Sequence, residues 1–171
     1  MVRSALRLAV VSSLACAVTP AFAQSAATES VNASSRVMQG ISIAKTADMT
    51  FGTIVKPSSG SGTVTISSGA DSIAVTGTNV AAAGSVSRGK LTVTGEGGQS
   101  FSITVPATMV LSDGSNTITV TLSSSAATGT LSGAFGAAGT ATVAVGGSFT
   151  IPSTQASGNY SGSFNVTAAY N

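Results

Sequence analysis

The chain has 171 residues, of which 7% are charged, and its formal net charge is +2. It contains one cysteine, no histidine and no tryptophan, which excludes Ser-His-Asp and Cys-His catalysis and histidine metal sites. The few basic residues are not clustered, so the charge pattern needed to bind nucleic acid is missing.

The first 23 residues have the parts of a bacterial signal peptide. Arg3 and Arg7 precede an apolar stretch over residues 8–18, and residues 21–23 (AFA) match the small-residue cleavage site. The stretch is shorter than the roughly 20 residues that a membrane-spanning helix needs. We therefore expect cleavage before Gln24, export to the periplasm, cell surface or medium, and no membrane span in the mature chain.

Cleavage changes the composition of the chain. Loss of Arg3 and Arg7 leaves five basic against five acidic residues, so the mature protein is formally neutral. Cys16 is lost too, so no disulfide can staple the domain. In an alternative interpretation, Cys16 is the lipidated first residue of a lipoprotein, since Leu14 and Ala15 precede it.

Beyond the signal, apolar residues alternate with Ser and Thr. A period of two places alternate side chains on one face of a β-strand, and Val and Thr suit a pleated surface. We expect about eight to ten antiparallel strands in a β-sandwich or small barrel. The domains predicted are a signal peptide (1–23), an N-terminal segment (24–38) and a β-domain (39–171). The alternating runs are Val64 and Ile66, Ile73 and Val75, Leu91 and Val93, residues 101–105, residues 118–122, and Val143 and Val145.

Glycine and aspartate residues separate these runs and predict turns. The pair Asp113-Gly114 predicts the best local hairpin, and Gly146-Gly147 is interpreted as another turn. Residues 124–141, rich in small side chains, are consistent with a loop or with an edge strand.

Two groups of residues have a weak resemblance to chemical sites. Ser87 and Lys90 have the spacing of a Ser-Lys pair, but serine is so abundant that such a pair arises by chance. Asp48, Asp71 and Asp113 lack the repeated acidic spacing of a calcium site and fit turns better. We therefore predict no catalytic residue, no cofactor and no metal site, and no enzymatic activity.

The C-terminus carries the most specific pattern. Gly158 is fourteenth from the end, Tyr170 is penultimate, and the residues between them alternate. This segment resembles the C-terminal strand of chaperone/usher pilus subunits. The resemblance implies an immunoglobulin-like, pilin-like antiparallel sandwich that lacks its last strand, with an open groove beside the C-terminal strand. The candidate contact strand is Gly158, Tyr160, Gly162, Phe164, Val166, Ala168 and Tyr170, of which Tyr160, Phe164, Val166 and Tyr170 are expected to line the groove.

In such subunits a periplasmic chaperone first lends a strand to the groove, and an N-terminal extension of a neighbouring subunit replaces it at an usher. Here the candidate donor lies between Gln24 and Met38, and it is only weakly apolar. Its candidate contact residues are Ala27, Val31, Ala33 and Val37.

A second resemblance covers most of the mature chain. The segments 43–52 (IAKTADMTFG), 90–102 (KLTVTGEGGQSFS), 145–152 (VGGSFTIP) and 155–171 resemble domain of unknown function 4402. That family comprises secreted bacterial proteins similar to spore coat protein U and Mat-type fimbrial subunits. The resemblance implies a surface or fibre role and transfers no catalytic residues.

We therefore predict a structural subunit of a fimbria or surface coat that self-associates by strand complementation. A monomeric secreted adhesin or surface-binding module is the alternative. Ice or crystal-surface binding, considered because Thr-x-Thr pairs recur, is disfavoured because the pairs lack a common repeat length.

Overall fold

The computed structural model describes residues 26–171, so the predicted signal peptide, Cys16 and the cleavage site lie outside the described residues. The chain divides into two compact units, one that ends at Ser35 and one formed by residues 36–171. In the first unit the described residues, 26–35, are exposed and form no strand or helix. The second unit contains all the strands described below.

Residues 26–171 contain twelve strands and no helix, and accordingly none of their segments forms a helix that could span a bilayer. The strands are β1 (Ser42–Ala47), β2 (Thr53–Val55), β3 (Ser61–Ile66), β4 (Ile73–Thr76), β5 (Ala81–Ala83), β6 (Gly89–Glu96), β7 (Ser100–Thr104), β8 (Thr108–Ser112), β9 (Thr117–Ser124), β10 (Thr128–Thr130), β11 (Ala138–Pro152) and β12 (Thr167–Tyr170). This exceeds the eight to ten strands expected, because β2, β5 and β10 have three residues each, too few to show a period of two.

The strands form three sheets, and every pairing is antiparallel. The largest has the order β1-β6-β11-β3-β4, with β9 joined to β11 and β8 joined to β9. A three-stranded sheet has the order β10-β7-β12, and β2 pairs with β5. The long strand β11 links the large sheet, since it pairs with β6, β9 and β3 along its length.

The core consists of apolar side chains from the inner faces of these sheets. In one cluster, Val93 and Val143 of the large sheet pack with Phe101 and Ile103 of the three-stranded sheet. The other cluster joins β3, β8, β9 and the second half of β11. Full burial of such a side chain contributes about 1.5–3 kcal/mol. The fold is an all-β antiparallel sandwich, as predicted.

The predicted Asp113-Gly114 hairpin is confirmed. Strands β8 and β9 pair in register from Ser112 opposite Thr117, and Gly114 has a φ of 97°, which glycine adopts without strain. The Asp113 carboxylate accepts hydrogen bonds from the backbone N–H groups of Ser115 (2.9 Å) and Asn116 (2.6 Å). The turn is therefore held by its own side chain.

The predicted turn at Gly146-Gly147 is wrong, because both residues lie within β11. Pairing of β11 with β6 ends at Val145, and pairing with β3 begins at Gly147. A Cβ at Gly146 would overlap the backbone that follows β3, so glycine is required for close approach and not for a turn. Residues 124–141 combine both alternatives left open, since β10 is an edge strand and a loop precedes β11.

Candidate functional site

Two strands lie at the ends of their sheets, and one of them, β1, contributes residues to the candidate site. Strand β1 pairs only with β6, and β12 pairs only with β7. Each strand therefore has one edge without a strand partner. Unpaired edges of this kind are templates for the addition of another strand.

The segment that precedes β12 is attached at its two ends. Ser161 exchanges backbone hydrogen bonds with Ser112 of β8, at 2.8 Å and 3.0 Å. Pairing with β7 begins only at Thr167, opposite Thr104. Residues 162–166 have no assigned strand pairing, so the middle of the segment lies beside the sheets without completing either of them.

The start of this segment is fixed by close packing and side-chain hydrogen bonds. A Cβ at Gly158 would lie 2.7 Å from a carboxylate oxygen of Asp113, so a larger residue would push the chain off the β8–β9 hairpin. The Tyr160 hydroxyl accepts a hydrogen bond from Gln155 Nε2 (2.8 Å) and donates one to the Ala156 carbonyl (2.9 Å). The first feature fits the segment closely to the β8–β9 turn, and the second ties Tyr160 to the loop that follows β11.

An open cavity of about 780 Å³ lies between residues 45–56 and this C-terminal segment. Its floor side chains are 6% to 8% exposed, whereas the core valines Val64, Val93 and Val120 are 0% exposed. The floor therefore faces the cavity directly. Two of its rings, Phe51 and Phe149, pack edge to face with centroids 5.0 Å apart. The floor includes Phe51, Met109, Ile118, Phe149 and Ile151, and the wall includes Tyr160, Phe164 and Val166.

Charged residues at the rim are mostly neutralised. Lys45 pairs with Asp48 at 2.6 Å, and Lys90 pairs with Asp71 at 2.6 Å. The hydrogen bond from Lys90 is the main reason why the pKa of Asp71 is lowered. Lys56 donates to the Gln155 carbonyl at 2.7 Å. The cavity thus has a polar rim around an apolar floor and offers no evident acid–base pair.

The two weak chemical motifs do not assemble. Ser87 Oγ donates to the Asp48 carbonyl at 2.6 Å, while Lys90 is engaged with Asp71, so their polar groups serve different partners. Asp113 caps its own turn. Within residues 26–171, no group of three or more Asp, Glu, His or Cys residues is placed to hold a metal ion.

The structure divides the seven residues of the candidate contact strand. Gly158, Tyr160, Gly162, Phe164 and Val166 line the cavity. Ala168 and Tyr170 instead pack against the second core cluster. The expectation that Tyr170 lines the groove is therefore corrected, because strand pairing with β7 carries the end of the chain past the cavity.

The four candidate donor residues are exposed. Ala27, Val31 and Ala33 belong to the first unit and Val37 to the second. The exposed fractions of Val31 and Val37 are 91% and 84%. That the candidate contact strand and the candidate donor residues contact a partner strand stays a prediction.

Sequence reasoning missed the floor of the cavity. Its side chains come from the stretch after β1, from the β8–β9 hairpin and from β11, three parts that are far apart in the chain. A local signal existed in the alternation of Met49 and Phe51, but only the paired sheets show that these residues face the C-terminal segment.

Comparison with protein-family models finds one that matches residues 41–170, described as a domain of unknown function, DUF4402. Comparisons with curated proteins and with solved structures return no match. The matched range begins just before β1 and ends at the last residue of β12, so it contains every strand and the whole cavity. On this match, the chain belongs to the DUF4402 family.

Proposed function

We propose that this protein is a non-enzymatic, exported structural subunit of a fimbria or surface coat, whose copies join by β-strand complementation. The observation that carries the proposal is the apolar cavity between residues 45–56, which include the end of the edge strand β1, and residues 162–166, which have no assigned strand pairing. An added strand could form backbone hydrogen bonds with this unpaired backbone while its side chains cover the floor.

The dimensions of the site suit an extended strand. Residues 160–166 form one wall, and at about 3.3 Å per residue they span roughly 23 Å. Along this wall Tyr160, Phe164 and Val166 are half-buried, while the odd-numbered residues between them are exposed. An inserted strand with the same period of two would place alternate side chains on the floor and leave the others in solvent.

The occupant we propose is the segment from Gln24 to Met38 of a second copy. Its described residues are exposed and form no strand, so the backbone is free to pair. Val31 and Val37 supply apolar side chains, and Ala27 and Ala33 supply small ones. Because the donor segment of one copy would occupy the groove of the next, one repeated contact would join copies head to tail into an open fibre.

The energetics favour a contact that depends on register. Burial of two valines contributes about 3–6 kcal/mol, whereas ordering the backbone costs about 1–2 kcal/mol per residue. The valines alone do not offset that cost, so hydrogen bonds to the groove edges must supply the remainder. A donor strand placed out of register would lose both the burial of its valines and its hydrogen bonds to the groove.

Partners on the export route follow from the same groove. An uncovered apolar cavity on a monomer is a site for non-specific association, and a strand lent by a periplasmic chaperone would cover it until a subunit's extension takes its place at an usher. The composition of the N-terminus, with its signal-peptide pattern, supports export.

The test is size-exclusion chromatography with light scattering on the chain that begins at Gln24, compared with a chain that lacks residues 24–35. We expect a ladder of oligomers from the first chain, monomers from the second, and capture of a synthetic 24–38 peptide by the second. A stable monomer in both cases, with no peptide capture, would refute assembly and favour the monomeric surface-binding alternative.

A further inference from the structure

The end of the C-terminal strand holds the start of the sandwich through a group of hydrogen bonds. The Tyr170 hydroxyl accepts a hydrogen bond from the Glu96 backbone N–H (2.6 Å) and donates one to the Gln39 carbonyl (2.9 Å). The Glu96 carboxylate accepts hydrogen bonds from the backbone N–H of Gln39 (3.0 Å) and from that of Gly136. We call Gln39, Glu96, Gly136 and Tyr170 the clasp.

The clasp joins one buried residue to its surroundings: Glu96 is buried and Tyr170 is half-buried, whereas Gln39 and Gly136 are exposed. Glu96 is 2% exposed and is the buried charged residue among those described. Its burial is compensated by the two backbone donors, of Gln39 first and Gly136 second, which lower the pKa of its carboxyl and keep it ionised. A Cβ at Gly95 would overlap the Tyr170 hydroxyl, so this position must stay small for the ring to reach Gln39.

A further contact holds the chain just upstream of the clasp. The Arg36 guanidinium lies 3.9 Å from the centroid of the Phe135 ring, a cation–π arrangement. Arg36 is also the first residue of the second unit. The chain is therefore held at Arg36 and at Gln39, while Val37 between them and residues 26–35 upstream are exposed.

We propose that Tyr170 is a positioning residue for the donor segment and does not contact the strand in the groove. This inference rests on the proposed function. Through Gln39, Tyr170 sets the point from which the exchanged segment, residues 24–38, begins. A fixed origin reduces the conformational freedom that the donor loses on binding. The physical reason for a penultimate tyrosine here is the reach of its hydroxyl to Gln39, which precedes β1.

The test compares Tyr170→Phe with Tyr160→Phe, which removes the other tyrosine hydroxyl of the chain from the wall of the cavity. In Tyr170→Phe we expect amide hydrogen exchange at Gln39 and Glu96 to become about three- to tenfold faster, the effect of losing one hydrogen bond. We expect self-association to weaken by a similar factor. Capture of a synthetic 24–38 peptide, measured on a full chain whose own donor carries Val31→Asp, should not change. Tyr160→Phe should leave exchange at Gln39 unchanged.

Two results would overturn the positioning role alone. One is self-association of Tyr170→Phe equal to that of the unsubstituted chain. The other is a loss of peptide capture as large as the loss of self-association, because Tyr170 would then contact the occupant. If the unsubstituted chain neither assembles nor captures peptide, the proposed function fails and the positioning role fails with it. Should Tyr170→Phe not fold, Glu96→Gln weakens the same clasp, and its results are judged by the same criteria.

Discussion

Replacement of Val31 by Asp separates the stability of the subunit from its assembly. Val31 is 91% exposed, so its substitution should change the free energy of unfolding of the monomer by less than about 0.5 kcal/mol. In the assembled state a buried valine contributes about 1.5–3 kcal/mol. Its loss alone should weaken the subunit contact by about ten- to a hundredfold, and a carboxylate on the apolar floor should weaken it further.

The matched control is Asn32→Asp, which adds the same charge to the adjacent residue. In an extended strand Asn32 points away from the face that holds Val31, so this variant should assemble almost as the unsubstituted chain does. Sedimentation velocity over a concentration series measures both association constants, and thermal denaturation confirms that the monomers remain equally stable. Equal weakening by the two variants would show that charge alone matters, and no weakening by Val31→Asp would refute insertion of this segment.

Three further predictions concern stability. The hydrogen bond from the backbone N–H of Asn116 is the main cause that lowers the pKa of Asp113 from 3.8 to about 2. The contribution of the Asp113 carboxylate to stability is therefore complete above about pH 4 and is lost as pH falls towards 2. Thermal denaturation from pH 5 to pH 2 should show a smaller acid-induced loss of stability in Asp113→Asn than in the unsubstituted chain, and equal losses would contradict the capping role. Phe149→Ala should destabilise the monomer by about 3–5 kcal/mol in chemical denaturation. Phe135 is 49% exposed, so Phe135→Ala should destabilise it by less than about 1 kcal/mol. Similar losses of stability in the two variants would refute the assigned core. Gly158→Ala should destabilise by about 1–3 kcal/mol, typical of overpacking, because its Cβ would meet Asp113, and a neutral effect would show that the C-terminal segment can shift.

The C-terminal segment shows where prediction from sequence succeeds and where it stops. The alternation from Tyr160 to Tyr170 predicts which side chains face inwards, and the burial of these residues follows that period. The same pattern assigned Tyr170 to the groove, although its hydroxyl bonds to Gln39, 131 residues earlier in the chain. Periodicity specifies a face of a strand but not the element that the face meets.

Glycine residues illustrate the same difference. Asp113-Gly114 was predicted correctly because a short turn is stabilised by contacts within itself, here between Asp113 and Asn116. Gly146 was assigned to a turn incorrectly, because the need for a small residue arises from backbone that lies about eighty residues away in the chain. No local pattern distinguishes these two uses of glycine.

The amino-acid sequence by itself determined the all-β class, most of the strands and the absence of histidine chemistry, because these depend on residue type and on a period of two. The tertiary structure alone decided that the end of β1 and the unpaired residues 162–166 border one apolar cavity, that its floor comes from three distant parts of the chain, and that Glu96 is buried beneath the end of β12. The reason is physical: strand partners and register are set by packing between segments far apart in the chain, and such packing depends on all of those segments together.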